Sequence, residues 1–286
     1  MAEVKQRILN AIKSLYQNKK FTFGISIIVS LWIIGFLAPL YIPFDPVPMG
    51  RFQRDLPPSK VHILGTDSLG RDVFGLLVYS IKMSLELGLM AGIIAITIGV
   101  SVGLISGYRG GLLDDALRTI TDTFLVIPTW PILVVVSCMI KSLTVPVMSL
   151  LLAVFSWPWA ARAIRSQIMS LREREFVNLA RLSGEGDLEI MFKEILPNVI
   201  PYVGASLLYA VVGAMMAEVG LEVLGIGPQH VTTIGLMLYW AMNMAATVRL
   251  IWWWIGPPIV FLIIIFTTLF IAHLGLDEIT NPRLKK

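Results

Sequence analysis

The segment FTFGISIIVSLWIIGFLAPLYIPF, Phe21–Phe44, runs for 24 residues without a charged side chain. At 1.5 Å per residue it makes a helix of about 36 Å, longer than the roughly 30 Å of hydrocarbon in a bilayer. Leu250–Leu276 repeats the pattern over 27 residues, with His273 as its one titratable group. The whole chain of 286 residues is 56% hydrophobic and 15% charged, where soluble domains have roughly 45–50% and about a quarter. A water-soluble enzyme, a disordered chain and a disulfide-stapled secreted scaffold are therefore excluded. The fold class expected is an all-α polytopic membrane protein.

Apolar windows poor in charge predict six transmembrane helices, at about 21–43, 84–107, 119–140, 144–162, 198–222 and 251–273. With the N-terminus inside, the cytoplasmic segments hold 16 of the Lys and Arg residues and the outer segments 7. Cations are retained on the cytoplasmic side, so both termini are expected there. The net charge of +4 is assigned to this retention, not to nucleic acid. The organisation expected is a cytoplasmic N-terminal segment (1–20), a first transmembrane helix (21–43), an extracytoplasmic loop (44–83), a membrane core (84–273) with a long cytoplasmic loop (163–197), and a cytoplasmic tail (274–286). The basic N-terminus precedes an apolar run too long for a signal peptide, which predicts an uncleaved helix. Cys138, the one cysteine, forms no internal disulfide.

Val223–Val248 also lacks Lys, Arg, Asp and Glu, but its glycines, Pro228, Gln229, His230, Thr232 and Thr233 break a lipid-facing helix. A loop and a short amphipathic helix over about 234–246, at the outer surface, are predicted; a seventh span would place the C-terminal cations outside. Trp252, Trp253 and Trp254, with Tyr239 and Trp240, suit an aromatic belt at the outer end of the last helix.

Several motifs are missing. Without Gly-x-x-x-x-Gly-Lys-[Ser/Thr] the chain has no phosphate loop with which to hydrolyse ATP. His-Glu-x-x-His, Cys-x-x-Cys and Gly-x-Ser-x-Gly are absent, and His62, His230 and His273 are far apart in sequence. No catalytic residue, bound metal or cofactor of this chain is expected.

The loop 163–197 is charged yet carries apolar residues at helical spacing: Ile164, Ile168 and Leu171, then Phe176, Leu179 and Ala180, then Leu188, Met191 and Phe192. Ser183-Gly184-Glu185-Gly186 interrupts them. The pattern predicts two short amphipathic helices joined at a glycine turn, with Asp187 capping the second and Pro197 opening the fifth span. Such an element is either a solvated hairpin or a helix that presents an apolar face to a partner's groove.

Asn178-Leu179-Ala180-x-x-x-Gly184, nine residues, then Glu194-Ile195-Leu196-Pro197 resembles the EAA loop of permease subunits of binding-protein-dependent ABC importers. Ala180, Gly184, Leu196 and Pro197 match that pattern in register, whereas Asn178, Leu179 and Glu194 depart from it. A second block, His62-Ile63-Leu64-Gly65-Thr66-Asp67-Ser68-Leu69-Gly70-Arg71-Asp72-Val73, resembles the signature of one branch, the second permease subunit of dipeptide, oligopeptide and nickel importers. Gly107-Tyr108-Arg109-Gly110-Gly111 with Asp114-Asp115, and the tail Asn281-Pro282-Arg283-Leu284, match the same branch in collinear order.

The resemblance implies a type I ABC importer permease fold of six helices in the plasma (inner) membrane. It implies as partners a sister permease in a heterodimer, an extracytoplasmic solute-binding protein and two cytoplasmic ATPases, which carry the ATP and Mg. It implies a coupling helix at about Asp187–Lys193 that enters a cleft of an ATPase, with Ala180, Gly184, Asp187, Leu188, Met191, Phe192, Leu196 and Pro197 as coupling residues. The solute it implies is a peptide, with oligosaccharide or nickel as alternatives. Glu222-Val223-Leu224-Gly225-Ile226-Gly227 and Pro228-Gln229-His230-Val231-Thr232-Thr233 depart from the branch and keep a β-linked oligosaccharide in view. A secondary transporter or accessory subunit working without ATP is the remote alternative; neither needs a glycine-hinged helix pair ending in Leu-Pro.

Two groups of polar residues remain. Gly65, Thr66, Asp67, Gly70, Arg71 and Asp72 suit paired tight turns held by Asp side chains, and such an ordered outer loop is favoured over a metal site using His62, Asp67 and Asp72. Glu218 and Glu222 share one helical face near the outer end of the fifth span. Pairing with the sister permease and a place on the translocation path are both open for them.

Overall fold

The computed structural model describes residues 17–280 apart from 43 and 229. Lys5, Arg7, Lys13, Arg283, Lys285, Lys286 and the tail motif at 281–284 lie outside the described residues. Among the described residues every regular element is helical, save an isolated bridge between Thr66 and Asp72. The helices are α1 (Lys19–Tyr41), α2 (Val73–Arg109), α3 (Gly111–Val126), α4 (Thr129–Met139), α5 (Val145–Arg172), α6 (Glu175–Leu182), α7 (Asp187–Glu189), α8 (Leu196–Val223), α9 (Ile234–Asn243) and α10 (Trp252–Thr280), with a π-helical turn, Ile190–Ile195, between α7 and α8. Five helices are long and apolar enough to cross a membrane, and α3 with α4 makes a sixth span if the bent pair is counted as one.

The 37-residue α2 is the central post, and it packs on α5, α8 and α1. Two sets of glycines on it explain why. Gly99, Gly103 and Gly107, each four residues apart, press on α5: a Cβ at these positions would lie 2.6 Å from Ala160 Cβ, 2.7 Å from the Ala161 carbonyl oxygen and 2.9 Å from the Arg165 carbonyl oxygen. Gly88 and Gly92 admit Met215 and Val211 of α8 in the same manner. In hydrocarbon, apolar surface gives little drive for helices to associate, so close backbone approach and van der Waals contact hold the bundle together. The opposite surfaces of α1 and α10, with Phe23, Ile34, Phe36, Ile263 and Phe270 exposed, are left for lipid.

Four expectations are corrected. First, α2 begins at Val73, well before 84: Asp72 caps it by accepting from Gly75 N at 2.8 Å, and Lys82 and Glu86 pair on its flank at 3.8 Å. Second, the single span over 119–140 is broken at Ile127-Pro128 by an 85° bend. Pro128 supplies no N–H, and it biases Ile127 away from the helical region. Third, Ile164, Ile168 and Leu171 belong to the end of α5 and not to a separate short helix.

The fourth correction concerns 234–246. Helix α9 is shorter than expected and lies inside the protein, with Ile234, Leu236, Met237, Leu238 and Ala241 buried between α8, α10 and α2. Ten residues span only about 15 Å, half a membrane. The tryptophan belt is likewise partly internal: Trp254 is fully buried, Trp253 donates to the Thr66 carbonyl at 3.2 Å, and Trp252 stays exposed.

Candidate functional site

The loop 163–197 folds back on the C-terminal ends of α2 and α5. Val177, Ala180, Ile190, Met191 and Ile195 are buried against Leu104, Tyr108, Ile164, Ile168 and Val199. Helix α6 ends in a turn in which Gly184 N donates to the Arg181 carbonyl at 3.0 Å and Glu185 N to the Ala180 carbonyl at 3.1 Å. This pair of bonds is the Schellman closure, which needs a left-handed residue at its corner. Gly184 has φ +86°, and nothing lies within 4 Å of where its Cβ would be. The corner thus demands glycine for backbone reasons alone. Gly184→Val is expected to strain the turn by about 1–2 kcal/mol and to lower ATPase co-purification and solute uptake together. Unchanged values of both would count against a coupling role.

Of the residues expected to couple, Leu188 and Phe192 face outwards together with Leu179 and Leu182, which were not in that expectation, whereas Ala180 and Met191 face inwards. Leu179, Leu182, Leu188 and Phe192 are 63%, 85%, 65% and 58% exposed, four large apolar side chains around one turn. Ala180 and Met191 point the other way and cement the hairpin to the bundle. Asp187 is not the cap, which is Gly186 without a side-chain bond; its carboxylate accepts from the Tyr108 hydroxyl at 3.0 Å and ties the hairpin to α2.

The second helix is not free-standing either. It winds through the π turn, where Leu196 N donates to the Met191 carbonyl five residues back, and continues past Pro197 into α8. The wider turn absorbs the missing proline N–H, so the hairpin and the fifth span form one continuous lever. Sequence spacing alone did not bring in the second brace of this end. Arg165 grips Asp114 with two bonds of 2.6 Å, Ser106 also binds Asp114, and Arg162 pairs with Asp122. Bidentate geometry makes the first of these directional.

At the opposite end, the block 62–72 is a self-braced loop. Asp67 accepts from Leu69 N at 2.9 Å and Arg71 N at 2.8 Å, and its other oxygen takes Arg71 Nε at 2.7 Å. Burial pushes the Asp67 carboxyl above its ordinary range, and the Arg71 guanidinium pulls against that shift. Gly65 (φ +67°) and Gly70 (φ +73°) make the turns. His62 Nδ1 lies 2.8 Å from Asp72, the residue that caps α2, and Arg249 reaches across to Ser68 and Asp55. The acidic and histidine side chains here are bound to protein partners, and among the described residues no group of three or more metal-ligating side chains occurs.

Glu218 and Glu222 are fully buried and turned towards α2 and α9. Ser84 donates to Glu218 at 2.9 Å and accepts from Ile234 N at 3.1 Å, while Thr233 donates to Glu222 at 2.6 Å. The two carboxylates thus anchor the first turn of α9, where backbone N–H groups need acceptors.

A cleft of about 570 Å³ opens on another face of α8 and does not include these carboxylates. Its walls are α4, α5, α8 and the C-terminal end of α10. Trp130, Leu133, Phe155 and Trp159 line the part farther from the hairpin, and Ser166, Gln167, Tyr202, His273 and Asp277 the end near it. From Tyr202 to Ala217 it follows α8 for about 22 Å. Sequence reasoning missed this cleft, although Tyr202, Ala205, Ser206, Tyr209, Ala210, Gly213, Ala214 and Ala217 recur at helical spacing.

These features define a multi-pass helical membrane protein with a lined cleft along its spans and a braced, apolar-tipped hairpin at one end. The chain belongs to the family of binding-protein-dependent transport system inner membrane components, whose profile matches residues 99–286. Among its relatives, the dipeptide transport system permease protein DppC of Haemophilus influenzae is 29% identical over 278 residues, covering 94% of this chain and 92% of the relative. The oligopeptide transport system permease protein OppC of Lactococcus lactis subsp. lactis is 28% identical over 280 residues, covering 96% and 95%. In fold the chain is similar to a chain of the MetNI methionine ABC transporter in inward-facing conformations, with a TM-score of 0.55 and 18% identity over 72% of this chain and 94% of the other.

Proposed function

We propose that this chain is the permease subunit of an ABC importer that moves peptides inward by alternating access, with both termini in the cytoplasm and the inner membrane as its site. It binds no nucleotide itself. Two cytoplasmic ATPases supply the motion, a sister permease completes the pore, and an extracytoplasmic binding protein delivers the solute. The observation that carries this reading is the hairpin: four exposed apolar side chains around a glycine corner, on a base buried in the bundle and continuous with α8. A rigid connection of that kind passes displacement at the tip to the cleft wall.

The path we propose runs along the cleft of α5 and α8, and Glu218 and Glu222 serve it by holding α9 in place. Glu218→Gln and Glu222→Gln are then expected to lower protein stability and leave the ranking of solutes unchanged; an altered ranking would return them to the path. Peptide is the solute favoured by the names of the relatives. The indoles of Trp130 and Trp159 in the cleft keep an oligosaccharide as the second reading. Uptake of a labelled tripeptide and of a labelled β-linked disaccharide by the reconstituted importer separates the two.

A further inference from the structure

We propose that the cavity between α1 and the start of α2 holds the headgroup of a membrane phospholipid, with its phosphate on Lys82 and Tyr79 and its amine on Asp45. The cavity measures about 450 Å³ and lies towards the end of the bundle opposite the hairpin, apart from the cleft. That volume falls in the range of small-ligand sites, roughly 300–1,000 Å³. Gly35 and Ala38 of α1, with Ile42 just after it, form one wall and Gly75, Tyr79 and Lys82 of α2 the other. Phe44, Asp45 and Pro46 make the rim.

Lys82 calls for a ligand there. It touches Gly35, whose Cβ would lie 2.7 Å from the Lys82 Cβ. Gly35 is six residues before the end of α1, about 9 Å along its axis. An ammonium group at this depth, on a pair of membrane-crossing helices, is costly unless a counter-charge reaches it. Among the described residues its one ion-pair partner is Glu86, at 3.8 Å, beyond hydrogen-bond distance. The Phe36 ring centroid lies 5.5 Å from Nζ. The three N–H donors of Lys82 are therefore left for an acceptor that enters the cavity, and a phosphate brings both acceptors and charge. Tyr79, half-buried and one turn away on the same face of α2, adds an O–H donor.

The rim sets the class of headgroup. Asp45 is exposed, and its Oδ1 accepts from Val47 N at 3.0 Å, which orients the carboxylate and leaves the second oxygen for a ligand's donor. Arg51 stands over Phe44, 4.8 Å from the ring centroid. With Lys82 and Glu86, the cavity and its margin carry two positive and two negative groups. A zwitterionic phosphoethanolamine headgroup matches that balance, and its ammonium donates to Asp45 where a quaternary choline has no N–H to give. The acyl chains find apolar surface next to the site. Beyond Lys82, α2 exposes Leu89, Met90 and Ile93, and α1 exposes Trp32 and Phe36, stacked with centroids 5.5 Å apart. A free phosphate compound would leave this surface unused, so the occupant is a lipid.

The test is native mass spectrometry of the full chain, purified with the subunits that accompany it and titrated with palmitoyl-oleoyl lipids that differ only in headgroup. Phosphatidylethanolamine should bind about tenfold more tightly than the diacylglycerol of the same chains, the range of one charge-assisted hydrogen bond, and more tightly than phosphatidylcholine. Lys82→Met should remove the first difference and Lys82→Arg should keep it. Asp45→Asn should bring phosphatidylethanolamine down to the phosphatidylcholine level, with size-exclusion profiles reporting intact protein. Equal binding of phosphatidylethanolamine and diacylglycerol by the unaltered protein would overturn the site, and that comparison needs no variant to fold. A preference that survives Lys82→Met would place the headgroup elsewhere and overturn the assignment. Displacement of the lipid by an equal concentration of O-phosphoethanolamine would make this a site for a free phosphate compound. Coupling of a photo-reactive side chain at Phe36 to a second protein chain would make this face a subunit contact; either result overturns the lipid.

Discussion

Replacing Leu182 and Phe192 together by aspartate lowers ATP-driven uptake by at least about a hundredfold while the chain still inserts and folds. Both side chains are largely exposed, so the isolated subunit loses little by the change. On docking, each would bury a large apolar group worth about 1.5–3 kcal/mol. Losing two such contacts removes about 3–6 kcal/mol, which is a factor of a hundred or more in affinity. The measurement is ATPase co-purification together with uptake in vesicles. Met191→Asp is the informative contrast: its side chain is buried beneath the hairpin, so that variant is expected to lose folded protein and not docking alone. Co-purification and uptake at the unaltered level in the Leu182, Phe192 variant would remove the hairpin from the coupling role.

The second large effect lies in the bundle. Gly103→Leu is expected to leave no monodisperse protein after detergent extraction. The obstacle is backbone, with the Ala161 carbonyl 2.7 Å and Arg165 N 3.0 Å from the added Cβ, so no rotamer relieves it and α2 and α5 must part. Overpacking of this kind costs about 1–3 kcal/mol even where side chains can yield. Parting the helices also disturbs the nearby brace in which Ser106 of α2 and Arg165 of α5 both hold Asp114 of α3. Gly213→Ala is the control, because nothing lies within 4 Å of its Cβ position. Size-exclusion profiles of the two variants should differ sharply; matching profiles would show that the glycines of α2 are not needed for close packing.

Much of this architecture was legible because hydrocarbon imposes a simple rule, and apolar, charge-poor windows of sufficient length located the five long helices to within a few residues at the majority of their ends. The capping of α2 by Asp72 extended one of them by three turns, a local signal hidden because Lys82 closed the window too early. The bend at Ile127-Pro128 was also written locally, in a proline that an average over apolar residues passes over. Other features depend on contacts distant in sequence. Asp114 and Arg165 are partners across two helices, and α9 is buried because Glu222, Thr233, Glu218 and Ser84 satisfy its first turn. No periodicity over 234–246 reports that. The hairpin was half legible: apolar spacing marked its residues, and only packing shows that Ala180 and Met191 face inward while Leu182 and Phe192 face out.

The central claim is that this subunit moves solute through power supplied by others at its hairpin. Its most direct test is uptake of a labelled tripeptide by the complex purified from its native membrane and reconstituted with its binding protein. Accumulation that requires ATP hydrolysis, in a particle that contains an ATP-hydrolysing subunit, is the predicted result. Uptake that continues at full rate with ATP withheld, or a transport-competent particle lacking any ATPase, would contradict it.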